Sequence, residues 1–149
     1  SVHKLACGQK LVVYCQRHKM QTERRTHMYR KKIQHEKENL SNRLISEELI
    51  YACLMTCEKV ISKNAYLEKK WGKWYEGLTG SADDSNYRAE RLTWMEYRKK
   101  LQFLLLTKYS IKEIIQNTKS TKVYTDTAPK TLVKSVIELI DSKEYELIF

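Results

Sequence analysis

The chain has 149 residues, of which four are Gly and one is Pro, whereas average usage would give roughly ten and seven. Folds that depend on many tight turns, such as β-sandwiches and barrels, are therefore disfavoured. Charged residues make up 31% of the chain and apolar residues 42%. This balance is typical of long helices that bury one face and leave the other in water, so we predict a mainly α protein.

The net charge of +10 is concentrated near the N-terminus. Residues 1–46 carry eleven Lys and Arg against three Asp and Glu, residues 47–109 carry eleven against nine, and residues 110–149 carry six against six. Such a basic segment suits nucleic acid, an anionic membrane or an acidic protein. The sequence contains no run of eighteen apolar residues and no secretory leader pattern, so we expect an intracellular protein without a membrane partner.

The first 19 residues contain a group of candidate metal ligands. A β-prone run ending at Cys15 predicts a short extended piece. Cys15 and His18 have the spacing that lets a thiolate and an imidazole bind one zinc ion, and His3 and Cys7 lie upstream. The alternative is that the histidines are exposed and the cysteines are packed. Reduced cysteines are favoured over a disulfide framework, which belongs to small secreted chains.

Hydrophobic periodicity predicts four long helices, at about residues 21–40, 47–76, 86–108 and 129–141. The first is a basic helix with a narrow apolar line, and it belongs to a basic arm that covers residues 20–46. Its cations suit the phosphates of nucleic acid or chromatin, although a solvated helix face is the alternative. The residues assigned to this contact are Arg24, Arg25, Arg30, Lys31 and Lys32.

The second helix is expected to begin after Ser46, whose hydroxyl can cap a helix followed by Glu47 and Glu48. Cys53 and Cys57 lie on one face of this helix. Two cysteines at this spacing could bind a metal, but their apolar neighbours favour core thiols. The aromatic residues of the second and third helices fall on apolar faces and are expected to pack in the core instead of stacking on bases. They are Trp71, Trp74, Tyr75 and Trp94.

The third helix carries the strongest apolar pattern of the chain. Its apolar residues recur at three and four positions, as in the seam of a coiled coil, so the helix requires a partner helix. Residues 101–106 are apolar on nearly every side, and burial from two directions is therefore expected. We interpret this as an inter-subunit helical assembly. The residues predicted to contact partners are Trp94, Tyr97, Leu101, Leu104 and Leu105.

Two stretches of the chain resemble a known family. Trp94 to Leu101, running on to Leu106 and Ile111, and the stretch Thr131 to Phe149 are similar to the bromodomain-and-PHD-finger (BRPF-type) scaffold subunits of MYST histone acetyltransferase complexes and to their fungal counterparts. The first stretch resembles the helix before the bromodomain, and the second resembles the first bromodomain helix. The residues that bind acetyl-lysine in the family have no counterpart among these 149 residues, so no reader function is carried over.

A third stretch, Val13 to His18, looks like the last Cys-x-x-His pair of the family's extended PHD module, and Cys7 looks like an earlier ligand. His3 departs from the expected His-x-x-Cys spacing. The resemblance implies zinc bound by Cys7, Cys15 and His18. Together with the sequence pattern, it leads us to expect the domain boundaries 1–19 for the tail of a PHD-type zinc module, 20–46 for the basic arm, 47–118 for scaffold helices, 119–128 for a linker and 129–149 for the bromodomain-like helix.

The resemblance also implies a function. Members of the family assemble a MYST-type acetyltransferase subunit, an inhibitor-of-growth subunit and a small Eaf-type subunit in the nucleus, and they engage the nucleosome. We therefore expect a non-catalytic scaffold subunit. The alternative is a basic helical domain that binds DNA or RNA without strong sequence preference. An enzyme is disfavoured because the sequence contains no phosphate-binding loop, nucleophile elbow or zinc-protease helix.

Overall fold

The computed structural model describes residues 30–78, 82–120 and 127–149 of the chain. The chain divides into two compact units, Ser1–His35 and Glu36–Phe149. Residues 30–41 are helical (α1), and the described residues are mainly helical, as the composition predicts. The further elements are β1 (Leu44–Ser46), α2 (Glu47–Leu78), α3 (Ala82–Leu105), α4 (Ile111–Ser120), α5 (Lys130–Ser142) and β2 (Glu146–Ile148).

Helix α2 begins where the sequence predicts. The Ser46 hydroxyl oxygen accepts a hydrogen bond of 3.1 Å from the Leu49 amide, which satisfies one of the free donors of the first turn. The same hydroxyl donates to the carboxylate of Glu36 at 2.9 Å. Glu47 and Glu48 occupy the first turn, where negative charge is favoured by the helix dipole. The predicted cap is therefore confirmed.

Helices α2 and α3 pack against each other along their lengths. Ion pairs join them in opposite order along the chain, so the two helices are antiparallel. Since the partners come from different helices, each pair also fixes the register of the packing. The pairs are Glu68–Arg91 at 2.9 Å, Glu58–Arg98 at 2.9 Å and, just beyond the end of α3, Glu47–Lys108 at 3.1 Å.

The core lies where α2, α3, α4 and α5 meet. Apolar side chains at helical spacing on each helix are buried there, which is what the predicted amphipathic faces require. The side chains with at most 1% exposure include residues of β1 and of all four helices, so one continuous core serves the whole second unit. They are Ile45, Ile50, Cys53, Leu54, Cys57, Leu101, Leu105, Ile114, Val133 and Val136.

Helix α3 begins and ends earlier than predicted. It starts at Ala82, four residues before the expected start, and it ends at Leu105 instead of residue 108. A turn follows directly, in which the Tyr109 amide donates to the Leu105 carbonyl at 2.9 Å. This turn leads the chain into α4. Residues 106–108, which were predicted to be helical, therefore belong to the connection between α3 and α4.

A capping box starts α4. The Glu113 amide donates to the Ser110 hydroxyl oxygen at 3.2 Å, and the Ser110 amide donates to the Glu113 carboxylate at 3.3 Å, which satisfies two end groups reciprocally. The Asn117 side-chain amide then donates to the Tyr51 hydroxyl at 3.0 Å. This last bond ties α4 to α2 and sets the distance between them.

Helix α5 runs parallel to α3. Lys130 pairs with Glu90 at 3.4 Å near the start of α5, and Asp141 pairs with Lys100 at 2.7 Å near its end. Pro129 lies at the N-cap position, where its missing N–H costs nothing. The predicted helix at residues 129–141 is therefore confirmed to within one residue at each end.

The segment before α5 is attached to α2 by a buried hydrogen bond. The Thr56 hydroxyl, whose residue is 6% exposed, donates to the Ala128 carbonyl. Ala128 itself is buried. A backbone carbonyl removed from water must find a donor, so this bond fixes how the chain enters α5.

A two-stranded parallel sheet, which the sequence analysis did not predict, joins the two ends of the second unit. Leu44–Ser46 pairs with Glu146–Ile148, with Ile45 opposite Leu147. Arg43 (φ 60°) and Lys143 (φ 61°) have positive φ angles and lie where the helix before each strand ends. The segments that lead into the two strands are joined by the ion pair between Arg43 and Glu144. The strands are too short to be recognised by alternation alone.

The buried position of Leu101 predicts a large effect on folding. Leu101→Ala should lower the free energy of unfolding of the isolated chain by about 3 kcal/mol, because it removes apolar contacts and leaves a cavity. Urea denaturation followed by circular dichroism measures this. Phe103→Ala is the matched control, since Phe103 is 70% exposed and its loss should cost less than about 0.5 kcal/mol. Equal losses for the two variants would contradict the described packing of α3.

Candidate partner-binding surface

The predicted partner-contacting residues lie largely inside the chain. Trp94 and Leu104 are each 3% exposed, and Leu101 and Leu105 are fully buried. Tyr97 is partly exposed, and its ring meets the Trp94 ring edge to face with centroids 5.1 Å apart. The helix that the seam requires is supplied mainly by α2 of the same chain. Four of the five side chains therefore present no surface to another subunit in this structure.

The face of α3 that lies opposite Leu101 remains exposed to solvent. Leu92 is 47% exposed and Phe103 70% exposed, and Leu106, directly after the helix, is 47% exposed. At 3.6 residues per turn Leu92 and Phe103 point within roughly 20° of each other, whereas Leu101 points to the other side. These three residues, which we call the outer face of α3, form an apolar line that the described residues leave exposed.

The sequence indicated this surface only in part. Residues 101–106 were expected to need burial from two directions, and the structure buries one side and exposes Phe103 and Leu106. Leu92 was missed because it is isolated among polar residues. The signal that points to it is its spacing from Phe103, about three helical turns.

A groove of about 640 Å³ opens between α2, α3 and α4. Leu54 and Met55 of α2 line its inner side, and Ile111 and Ile115 of α4 line its outer side. The two isoleucines are 48% and 44% exposed, so the groove is open to water. Ile114, between them in sequence, is buried. Helix α4 therefore has two apolar sides, one in the core and one in the groove.

The charges that line the groove are mostly positive. Lys59, Arg98 and Lys119 are cationic, and Glu58 is the one acidic residue among the lining side chains. Glu58 already binds Arg98 at 2.9 Å. Among the described residues neither Lys59 nor Lys119 forms an ion pair. The groove therefore combines an apolar interior with two uncompensated positive charges.

A second depression of about 430 Å³ adjoins this groove on α3. Arg98 and Gln102 line both, and Leu92 and Met95 extend the lining along α3. The lining thus continues from α4 across α3 to Leu92, although most of the side chains on α3 that form it are polar.

Another basic surface follows α2. Lys63, Tyr66 and Lys70 recur at three and four positions and lie on one side of the helix. Tyr66 is 60% exposed, and the Lys70 ammonium lies 5.6 Å from its ring centroid and 5.2 Å from that of Trp71. Trp71 is 39% exposed whereas Trp94 is buried, so the expected core packing is confirmed for Trp94 and not for Trp71. The side chains of Trp74 and Tyr75 lie outside the described residues.

Cys53 and Cys57 are buried, free thiols, as the apolar pattern of α2 predicts. Burial raises the pKa of Cys53 strongly, and burial raises the pKa of Cys57 to about 12. Both side chains are therefore neutral thiols within the folded core. Within the part of the chain that the structure describes, no three His, Cys, Asp or Glu side chains are grouped to hold a metal ion.

The remaining predicted site residues are mostly outside the described residues. Arg30, Lys31 and Lys32 lie at the described start of α1 and are exposed, in agreement with a solvated basic helix. The residues outside the described ranges are the three predicted zinc ligands and the first two arginines of the basic arm, namely Cys7, Cys15, His18, Arg24 and Arg25.

No protein-family model, curated protein or solved structure matches this chain. None of the described helices is both long enough and apolar enough to cross a membrane. The function therefore has to be inferred from the chemistry of the exposed surfaces.

The buried thiols give a direct chemical test of the α2 packing. Cys53 and Cys57 should resist alkylation by N-ethylmaleimide at pH 8 in the folded chain and react fully in guanidinium, because a buried neutral thiol is a weak nucleophile. Mass spectrometry of labelled peptides locates the modified residues. Rapid labelling of either residue in the folded chain would contradict the packing.

The same burial makes the stability of the fold depend on pH. Folding raises the pKa of Cys57 from 9.0 to about 12, so between pH 9 and pH 12 the unfolded chain binds fewer protons than the folded chain. The contribution of Cys57 to stability should therefore be present below pH 9 and lost as pH rises to about 12.

Proposed function

We propose that this chain is a non-catalytic scaffold subunit of a nuclear histone acetyltransferase complex. In this proposal it bridges a MYST-type acetyltransferase, an inhibitor-of-growth subunit and an Eaf-type subunit. The observation that carries the proposal is the outer face of α3, where Leu92, Phe103 and Leu106 are 47%, 70% and 47% exposed. Phe103 and Leu106 lie in or beside the stretch that resembles the family's scaffold helix.

Leaving the outer face of α3 in water has a free-energy cost. Burying a large apolar side chain stabilises a complex by roughly 1.5 to 3 kcal/mol, and a helix with a second apolar face is a typical site for a partner helix. Single exposed hydrophobic residues are common on soluble proteins. An aligned set on a helix whose opposite side already forms the core is less common and favours an assembly role.

Chromatin contact and zinc belong to the same proposal. The basic arm would meet nucleosomal DNA or an acidic histone surface, and Arg30 and Lys31 are exposed at the described start of α1. Zinc held by Cys7, Cys15 and His18 would stabilise the N-terminal piece, since structural zinc contributes folding energy directly. In this proposal both features would serve nucleosome engagement by a subunit that performs no chemistry itself.

A basic domain that binds DNA or RNA is the second candidate. The observation that favours it is the exposed surface of α2, where Lys63 and Lys70 flank the 60% exposed Tyr66. Lysines can neutralise phosphates, and an exposed ring can stack on an unpaired base. This surface would act without reading sequence, because lysine contacts to phosphate carry no sequence information.

The scaffold proposal predicts that the outer face of α3 recovers partner subunits. Phe103→Asp combined with Leu106→Asp should abolish co-purification of histone acetyltransferase activity with the tagged chain from nuclear extract, because two charges would be buried at the interface. The circular dichroism of the isolated chain should not change, since both side chains are exposed. Tyr66→Asp, at an exposed aromatic residue on α2, is the matched control and should retain the activity. Unchanged recovery with the double variant would refute the proposal at this surface.

The basic arm separates the two candidate functions. Changing Arg24, Arg25, Arg30, Lys31 and Lys32 to Gln should weaken DNA or nucleosome binding equally for all sequences, while partner recovery through α3 survives. If about six phosphates are contacted, affinity should fall by something like 10³ or more between 50 and 200 mM salt. Titrations of several duplexes and one single strand measure this. Tight, salt-sensitive binding of all sequences by a chain that recovers no partner subunits would favour the nucleic-acid domain as the primary function.

A further inference from the structure

The groove between α2, α3 and α4 has an interior that suits an apolar ligand. Leu54 and Met55 form its inner side and are almost fully buried, at 1% and 6% exposure. Ile111 and Ile115 form the outer side and are about half exposed. A ligand that covers the two isoleucines would remove apolar surface from water without a rearrangement of the core.

The rim of the groove selects the charge of that ligand. Lys59 and Lys119 stand on α2 and α4, and neither forms an ion pair among the described residues. Arg98 is engaged by Glu58 at 2.9 Å. Two cations that lack acidic partners beside an apolar surface favour a ligand that carries carboxylates next to its apolar groups.

The shape of the groove favours a peptide over a small molecule. Small ligands are usually enclosed over most of their surface, whereas Ile111 and Ile115 stay about half exposed. The lining of α2 runs from Leu54 to Ser62, about two helical turns or roughly 12 Å, and the adjoining depression extends it across α3 to Leu92. An amphipathic helix laid along this surface could use both parts.

We propose that this groove binds an acidic amphipathic helical segment of another protein. Leucine-like side chains on one face of the segment would cover Ile111 and Ile115, and carboxylates on its flanks would meet Lys59 and Lys119. The site shares Leu92 with the outer face of α3 but does not include Phe103 or Leu106. The proposal goes beyond the scaffold function, since it holds for the isolated chain whether or not that chain belongs to an acetyltransferase complex.

A designed peptide tests the proposal on the complete chain. The probe is a fluorescent helical peptide of about 18 residues, roughly five turns, with Leu on one face and Glu on both flanks. Its control carries Lys in place of every Glu. The Glu peptide should bind with micromolar affinity, the Lys peptide at least about tenfold more weakly, and binding of the Glu peptide should weaken as salt is added. Fluorescence anisotropy measures both, and methyl NMR should show shifts at Ile111 and Ile115.

Variants locate the site. Lys59→Glu combined with Lys119→Glu should raise the Kd of the Glu peptide about tenfold or more, because two attractions become repulsions. Ile115→Asp should do the same by charging the apolar side. Lys134→Glu, on the exposed side of α5, is the matched charge control and should leave the Kd unchanged. Circular dichroism checks that each variant is folded, as the exposure of these side chains predicts.

Several results would overturn the proposal. The first three are equal affinity for the Glu and Lys peptides, no binding of either peptide, and unchanged affinity of the groove variants for the Glu peptide. The fourth is binding of the soluble fatty acid decanoate by a chain that does not bind the Glu peptide, which would identify a small-molecule site instead. The Phe103→Asp, Leu106→Asp variant should bind the Glu peptide normally. A negative result for peptide binding in the groove therefore leaves the scaffold proposal intact, and a negative result for partner recovery by the outer face leaves the groove proposal intact.

Discussion

Trp94 and Leu101 are buried because α2 lies antiparallel to α3, and this pairing of two long helices underlies the rest of the structure. Neither helix could keep its apolar side in water by itself, since isolated helices gain most of their stability from packing. The ion pairs Glu68–Arg91 and Glu58–Arg98 fix how far one helix slides past the other. Helices α4 and α5 then cover the open sides of the pair, and β1 and β2 close it at one end.

The same pairing determines which surfaces are left for partners. Once one side of α3 is used for the core, Phe103 must point outward, because the helix has no other orientation that also buries Leu101. The capped turn at Ser110 brings α4 back toward α2, and the bond between Asn117 and Tyr51 holds it there. The groove exists because α4 is short and covers only part of α2.

The distribution of charge follows from the way the ion pairs form. The two described acidic residues in the distal part of α2, Glu58 and Glu68, are paired with arginines of α3. Arginine suits such contacts because its planar group binds carboxylates in a fixed geometry. Lysines on the outer side of α2, such as Lys59 and Lys63, have no acidic partner among the described residues. A helix of mixed composition thus presents a basic surface.

The sequence by itself determined the helices and several of their ends. Ser46 and Pro129 mark starts that depend on local hydrogen bonds and fixed backbone angles, so they can be identified from neighbouring residues alone. The burial of Cys53 and Cys57 also follows from local periodicity. The end of α3 was placed three residues too late, since Leu106 and Lys108 are compatible with a helix and only the turn into α4 decides otherwise.

Only the tertiary structure decided which apolar face of α3 is used inside the chain. The spacing of Trp94, Leu101 and Leu104 required a partner helix, but a partner in the same chain and one in another subunit impose the same pattern. The parallel strands Leu44–Ser46 and Glu146–Ile148, and the groove beside Ile115, were equally invisible. Each depends on residues far apart in sequence coming together, and periodicity reports only which side of an element is apolar, not what covers it.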